Sequence, residues 1–294
     1  MDLSTAAIQL LNALQYGLLL FLVAAGLSLI FGIMGVINLA HGSFYMLGAY
    51  MVFGVLPWVQ SALGGSFVTA VLVSLVLIGI LGYLLEWLFF SYLYERDHLQ
   101  QVLMTYALIL AFEEGRSLLF GNDVHSVSPP AWASGTVALS DLLTYPIYRL
   151  LVSAVCLGVA LALYLMLAKT RLGMRIRAGA SNREMVRSLG IDIKNLNRVV
   201  FALGVALAAF AGMVSAPVST VYPGMGSQVL VLSFVVVVIG GIGSIRGAFV
   251  AALLVGLVDT FGKVFFAQFA GVLVYLLMAG ILVVRPEGLF KQGV

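Results

Sequence analysis

Charge is what this sequence lacks most. Between Asp2 and Glu86 there is no Lys, Arg, Asp or Glu, and charged residues make up only 9% of the whole chain, against 62% apolar residues. An ordinary soluble domain contains about a quarter charged residues. The composition therefore excludes that class and indicates an integral membrane protein.

Cysteine and histidine are also scarce. Cys156 is the single cysteine, so an internal disulfide is excluded, and we expect its side chain to be packed inside a span. The three histidines are scattered along the chain, which speaks against a metal site and against a convergent catalytic cluster. Nor is there a soluble domain with a basic face, so a nucleic-acid partner is excluded.

Long apolar runs dominate instead, and a membrane-spanning helix needs about 20 such residues. Six runs meet this requirement: residues 10–31, 66–90, 99–120, 145–168, 199–217 and 268–284. Residues 33–56 form a seventh run that contains polar residues and several glycines, and residues 226–262 are interrupted by glycines, as two segments that meet at a turn would be. The sequence predicts an all-α polytopic protein with eight or nine membrane segments, some broken or re-entrant, in a single domain over residues 1–294.

Positive charge is concentrated in one loop. Residues 169–198 hold eight Lys and Arg against two acidic residues, a local charge of +6 in a chain whose net charge is +3. Because Lys and Arg near the ends of spans resist translocation, this loop predicts the cytoplasmic side. Residues 121–144 contain no Lys or Arg and fall on the outer side, whereas the side of the N-terminus stays open.

The basic loop contains the pattern of a short helix. Ser181 and Glu184 have the spacing of a capping box, and Gly190 is a typical C-terminal stop. Asn182, Met185, Val186 and Leu189 fall on one face, and Arg183 and Arg187 lie off it. A helix of about two turns is unstable alone in water, so we expect the apolar face to be buried. It packs either against a soluble partner or against the protein's own spans and the lipid headgroups.

Two groups of polar residues lie within apolar runs. Asn38, His41 and Ser43 stand beside Gly35 and Gly42, and such a cluster suits either a broken helix that lines a pathway or a helix contact closed by hydrogen bonds.

Glu113 and Arg116, three residues apart, can pair on one helix face. Their place near the outer end of a span fits either a structural pair or a contact with a transported solute.

Four stretches resemble one family of transport proteins. They are GLSLIFGIMGVINLAHGSFYMLGAY at residues 26–50, RAGASNREMVRSLGIDIKNLNRVVFALGVALAAFAG at 177–212, GGIGSIRGAFVAALLVGLVD at 240–259 and RPEGLF at 285–290. In this order they resemble the permease subunits of ABC importers for branched-chain amino acids, the Liv type, over nearly the whole chain. Relatives of this type also carry amides, urea or aromatic acids.

The resemblance implies a machine of several chains in the bacterial inner membrane. Its parts are a periplasmic substrate-binding protein, two cytoplasmic ATPase subunits and a second permease, either a related chain or a copy of this one. The short helix at 181–190 is then the segment that couples to the ATPase. ATP and Mg²⁺ would be bound by that ATPase and no cofactor by this chain, which is not expected to be an enzyme.

The sequence carries no phosphate-binding loop of its own. Gly262 and Lys263 have Leu257 where the motif requires glycine, and Val264 follows where it requires Ser or Thr.

The predicted function is therefore the membrane-spanning path of an ATP-driven importer for a branched-chain amino acid or a related small solute. Asn38, His41, Ser43 and Glu113 are the candidate pathway residues. The alternative is an ion-coupled secondary transporter that works without an ATPase.

Overall fold

The computed structural model describes residues 3–94, 96–140 and 143–290, and most of them are helical. The helices are α1 Leu3–Met34, α2 His41–Leu63, α3 Phe67–Leu85, α4 Ser91–Leu93, α5 His98–Phe120, α6 Ile147–Lys169, α7 Arg171–Ser181, α8 Arg183–Ser188, α9 Ile193–Ser215, α10 Met225–Gly240, α11 Ile245–Phe265 and α12 Ala270–Val284. One π-helical turn, Glu86–Phe90, joins α3 to α4, and a small antiparallel hairpin, β1 Thr136–Ser140 and β2 Leu143–Pro146, precedes α6.

The prediction of an all-α polytopic protein is confirmed, and the predicted count of eight or nine segments is approximate. Within the described ranges, seven helical segments are long and apolar enough to cross a membrane. Helix α10 is a shorter apolar helix, and α5 is more polar. As predicted, residues 226–262 divide at a glycine turn between α10 and α11, although α11 is a full-length span rather than a short one.

Helices α1 and α9 form the centre of the bundle. Helix α1 packs against α6, α9, α10 and α11, and α9 packs against α2 and α3 as well. Their backbones come close because glycine lies at the crossings: a Cβ atom at Gly204 would lie 2.8 Å from the carbonyl oxygen of Gly26, and one at Gly212 would overlap the carbonyl of Tyr45. Close approach of this kind is how membrane helices associate without a hydrophobic driving force.

The contacts of α1 relate its two ends to the predicted sides of the membrane. Near its start, the Asn12 side-chain oxygen accepts hydrogen bonds from Tyr145 (2.9 Å) in β2 and from Arg149 (2.7 Å) in the first turn of α6. At its other end, the Met34 sulfur lies 3.6 Å from the Tyr94 hydroxyl, on the side of the basic loop. If the basic loop is cytoplasmic, as its charge predicts, α1 begins on the outer side and ends on the cytoplasmic side.

Two helices begin inside the membrane, as the prediction of broken segments requires. The imidazole of His41, the first residue of α2, lies beside Gly26, where a Cβ atom would be 3.1 Å from its Cε1. Gly26 is about 12 Å from the end of α1, at 1.5 Å per residue, so residues 35–40 return into the membrane from the cytoplasmic side.

Residues 216–224 return from the opposite side. Val221 pairs with His125, which follows the outer end of α5, and α10 then starts where Gly226 meets Gly42. The first turns of α2 and α10 consequently meet within the bundle.

Candidate functional site

A groove of about 630 Å³ opens in the outer half of the bundle, between α1, α9, α10 and α11. On α1 the lining residues recur every three or four positions, so one face of that helix forms a wall of the groove. The wall is polar near the outer end of α1 and apolar deeper in the bundle. The α1 lining residues are, from the outer end inward, Gln9, Asn12, Gln15, Tyr16, Leu19, Leu20 and Val23.

Three charged side chains lie around the outer part of this groove. Lys263 donates to the Asp259 carboxylate at 2.5 Å, and its ammonium lies 5.5 Å from the centre of the Tyr16 ring. Arg149 is held by Asn12 on the other side. The rim therefore offers two cationic groups and one anionic group, which together can meet a solute that carries both signs of charge.

Deeper polar groups in the groove are almost completely buried. The Tyr45 hydroxyl and the Ser215 hydroxyl are 2.7 Å apart and share a hydrogen bond. Gln15 is only 3% exposed, and its side-chain NH₂ group has no hydrogen-bond partner in the chain. Because an unpaired buried donor is costly, Gln15 is a site at which a bound molecule can supply the missing acceptor.

The start of α10 and the second turn of α2 also reach the groove. Met225, the first residue of α10, and Tyr45 on α2 both line it. The N-terminal end of a helix carries about half a positive charge, so the start of α10 favours an anionic group in the groove.

The residues predicted to line the pathway lie elsewhere. Asn38 and His41 are fully buried and Ser43 nearly so, and none of them lines the groove. His41 Nε2 is 3.0 Å from the carbonyl oxygen of Val23, a groove residue, and the Asn38 side chain accepts from the Ala40 amide at 3.1 Å. The cluster thus holds the re-entrant start of α2 one layer behind the groove, which favours the packing alternative, and direct contact with a solute stays a prediction.

Glu113 also lies away from the groove. It pairs with Arg116 at 3.2 Å, as the spacing predicted. Arg116 is buried and further donates to Gly121 O (2.6 Å) and to the Asn122 side chain (3.1 Å), so this cluster closes the outer end of α5. A pathway role for Glu113 stays a prediction.

Sequence reasoning missed the groove residues themselves. Two signals were present: the polar positions of α1 at helical spacing, and Asp259 four residues before Lys263. Neither stands out without the knowledge that α1 and α11 lie side by side.

On the cytoplasmic side the short helix exists, but the prediction that Ser181 caps it is wrong. Helix α7 continues through Ser181, and the Asn182 amide still bonds to Ala178 O at 2.9 Å. Asn182 is the N-cap of α8, because its side-chain oxygen accepts from the Met185 amide at 2.9 Å. Asn serves this role as well as Ser does, and Glu184 consequently lies in the first turn without completing a capping box.

The C-terminal end of α8 is as predicted. Gly190 has φ +80°, and two backbone bonds close the end: Gly190 N to Arg187 O at 3.0 Å and Ile191 N to Val186 O at 3.3 Å. This pair of bonds is the Schellman motif.

The apolar face of α8 is divided. Val186 is 3% exposed and packs against the chain itself, whereas Met185 is 60% and Leu189 72% exposed. At about 100° per residue, Val186 is rotated away from Met185 by more than a quarter turn, which is enough to point it inward. The exposed part of the predicted stripe is Met185 and Leu189.

Arg183 is also less free than its position off the stripe implied. Its guanidinium lies over the ring of Tyr94, 5.2 Å from the ring centre. Val186 and Arg183 therefore attach α8 to the membrane domain and leave Met185 and Leu189 exposed.

Comparison with known proteins places these features in one family. Residues 9–284 match the family model described as branched-chain amino acid transport system, permease component. BraD of Pseudomonas aeruginosa, a high-affinity branched-chain amino acid transport system permease protein, is 28% identical over 97% of this chain and 95% of its own. LivH of Escherichia coli, with the same description, is 26% identical over 97% and 95%.

A more distant relative is the probable LivH of Methanocaldococcus jannaschii, at 25% identity over 95% of this chain and 90% of its own. Among solved structures, PsaBC from Streptococcus pneumoniae in complex with Fab covers 93% of this chain and 89% of that one. Its TM-score of 0.48 and its identity of 13% are too low to support a conclusion about function.

Proposed function

Because this chain belongs to the family of permease components of branched-chain amino acid transport systems, we propose that its outer groove is one wall of the translocation path and that α8 docks the ATPase that drives it. The protein is a multi-pass transport component of the inner membrane. The family relationship favours an ATP-driven importer over an ion-coupled secondary transporter.

The observation that carries the docking proposal is the form of α8. It is closed at both ends by its own hydrogen bonds and fixed from behind by Val186, yet it leaves Met185 and Leu189 exposed. A two-turn helix that exposes large apolar side chains is expected to bury them, and a partner on the cytoplasmic side would do so. ATP and Mg²⁺ would then be bound in that partner, and ATP would be hydrolysed there.

The groove supports a zwitterionic solute with an apolar side chain. A carboxylate would meet Arg149 and Lys263, and an ammonium group would meet Asp259. The apolar side chain would lie against Leu19, Leu20 and Val23. A branched-chain amino acid has these three parts, whereas urea lacks both the charges and the apolar group.

The open side of the groove indicates two further partners. A second permease chain, related or identical, would close it, and a periplasmic binding protein would deliver the solute from outside. Binding and hydrolysis of ATP would move α8, and the spans would open the groove to each side in turn; no covalent chemistry takes place in this chain.

The test is the variant Leu189→Asp in the complete transporter. A charge in the docking contact cannot be paired, and burying it costs several kcal/mol. We expect this variant to lose the ATPase on purification and to lose ATP-dependent leucine uptake, at normal membrane insertion. Ser188→Asp, on the same helix but outside the Met185–Leu189 pair, is the matched control and should retain both. If Leu189→Asp keeps its ATPase and takes up leucine at the wild-type rate, α8 is a solvated connector and the proposal is wrong.

A further inference from the structure

A buried carboxylate lies where α3 ends near the cytoplasmic side. Glu86 is 0% exposed and opens the π-helical turn Glu86–Phe90. An ionisable group within a membrane helix is costly unless it is paired, and such groups mark functional sites more often than others. Single π-helical turns inside α-helices are likewise frequent at functional sites.

Glu86 is paired from two directions. The Tyr94 hydroxyl donates to its Oε1 at 2.7 Å, and Arg198 Nε lies 3.3 Å from its Oε2. Arg198 belongs to the first turns of α9, the central helix that packs against α1, α2 and α3. The carboxylate thus joins the end of α3 to α9.

Tyr94 extends this contact to α8. Its ring lies under the guanidinium of Arg183, and its hydroxyl is also 3.6 Å from the Met34 sulfur at the end of α1. Burial, and then the nearby charge of Glu86, raise the pKa of the Tyr94 hydroxyl, so it keeps its proton and remains a donor. One aromatic residue therefore contacts α8, the π-helical turn and α1.

We propose that Glu86, Tyr94, Arg183 and Arg198 form the link through which a displacement of α8 is passed to α3 and α9. The proposal rests on the proposed docking of the ATPase at α8. These four are positioning residues: none of them lines the groove or lies on the exposed Met185–Leu189 pair.

The geometry explains why the link would transmit movement. Helix α8 contacts Tyr94 through the Arg183 guanidinium over its ring, and a shift of α8 would move Tyr94 or break this contact. Tyr94 is in turn joined to Glu86 by a hydrogen bond to a charged group, which is strong and directional in a low-dielectric interior. The π-helical turn gives α3 a point at which its cytoplasmic end can rotate separately from the rest of the helix.

The experiment compares two conservative variants with a matched control in the purified complete transporter. Tyr94→Phe keeps the ring beneath Arg183 but removes the hydroxyl donor, and Glu86→Gln keeps the shape but removes the charge. Tyr92→Phe removes the hydroxyl of a side chain that is 73% exposed, two residues away. The measurements are the amount of ATPase that copurifies, the rate of ATP hydrolysis and the amount of leucine taken up per ATP hydrolysed.

We expect the first two variants to retain the ATPase and to hydrolyse ATP while leucine uptake per ATP falls at least fivefold, and Tyr92→Phe to match the wild type. Unchanged uptake per ATP would overturn the link. So would a parallel fall in folded yield, hydrolysis and uptake, since that is the result of a structural defect alone. Failure of the wild-type chain to copurify with an ATPase would instead refute the proposed function, which keeps the two failures distinct.

Discussion

At the scale of single residues, the buried charges of this chain differ by where their partners come from. Glu113 and Arg116 pair within one helix, at the outer end of α5. Glu86 and Arg198 join two helices near the cytoplasmic side. Asp259 and Lys263 also pair within one helix, but they face the groove, and the Lys263 side chain is 62% exposed. Of these three pairs, only Asp259 and Lys263 can separate and bind a solute instead without breaking a contact between helices.

Asp259→Asn tests this difference. The amide cannot hold an ammonium group as the carboxylate does, and a hydrogen bond to a charged group contributes about 1.5–3 kcal/mol, equivalent to roughly tenfold or more in rate. We expect the rate of leucine uptake at leucine concentrations below saturation to fall by that order while the folded amount and the bound ATPase are unchanged. Asp123→Asn, in the exposed outer loop, should transport normally. Equal rates for both variants, or a loss of folded protein in step with uptake, would show that Asp259 has no role in recognition.

At the scale of elements, α8 shows how the ends and the orientation of a helix of only six residues are fixed. Asn182 closes its start, Gly190 closes its end, and Val186 and Arg183 attach it to the bundle. Its orientation, and hence the direction in which Met185 and Leu189 point, depends on all four. A change that leaves the exposed side chains intact can therefore still misdirect the helix.

Gly190→Val provides such a change. A Cβ atom at Gly190 would meet nothing within 4 Å, so the substitution acts only through the backbone. The left-handed conformation at φ +80° costs an L-residue about 1–2 kcal/mol, and a β-branched one resists it further. We expect less ATPase on the purified transporter and slower uptake.

Gly158→Val is the control, because Gly158 also has open space around its Cβ position but lies inside the regular helix α6. If both glycine variants retain the same amount of ATPase, the Schellman end of α8 does not position the docking contact.

At the scale of the whole molecule, one assignment of sides makes all contacts consistent. With α7 and α8 in the cytoplasm, the groove, the β1–β2 hairpin and the start of α1 are on the outer side. The Glu86 cluster and the turn between α10 and α11 are on the inner side. The groove then receives solute from outside, as an importer requires.

Cysteine labelling tests this orientation. Ser134 follows a short 3₁₀ turn, Ala131–Ala133, and is exposed, and Ala180 is exposed on α7. The lone native Cys156 is buried and should not react. We expect an impermeant thiol reagent applied from outside to label Ser134→Cys and to leave Ala180→Cys unlabelled until the membrane is opened. Ala180 is preferable to Asn182, whose side chain caps α8. The opposite pattern would reverse the topology and place the groove on the wrong side for import.

The sequence by itself determined the features that depend on solvent and on local backbone chemistry. The absence of charge between Asp2 and Glu86 required lipid, the +6 loop predicted the inner side, and glycine at 190 fixed the end of a short helix. The all-α polytopic fold and the pairing of Glu113 with Arg116 also followed, since each depends on residues close together in the chain. The start of α8 was misplaced by one residue because Ser181 and Asn182 are both good caps, and the hydrogen bonding of α7 decides between them.

Only the tertiary structure decided which residues form the groove and which residues join α8 to the spans. Gln15, Arg149 and Asp259 are far apart in sequence but line one groove. Tyr94 meets Glu86 and Arg183 only because the end of α3, the short helix α8 and the start of α9 lie at one level of the bundle. The tertiary structure likewise moved His41 behind the groove, because the depth at which α2 re-enters the membrane depends on where glycines let α1, α2 and α9 approach. Hydropathy records that a segment lies in lipid, but the face a side chain presents and the partner it meets depend on how the segments pack.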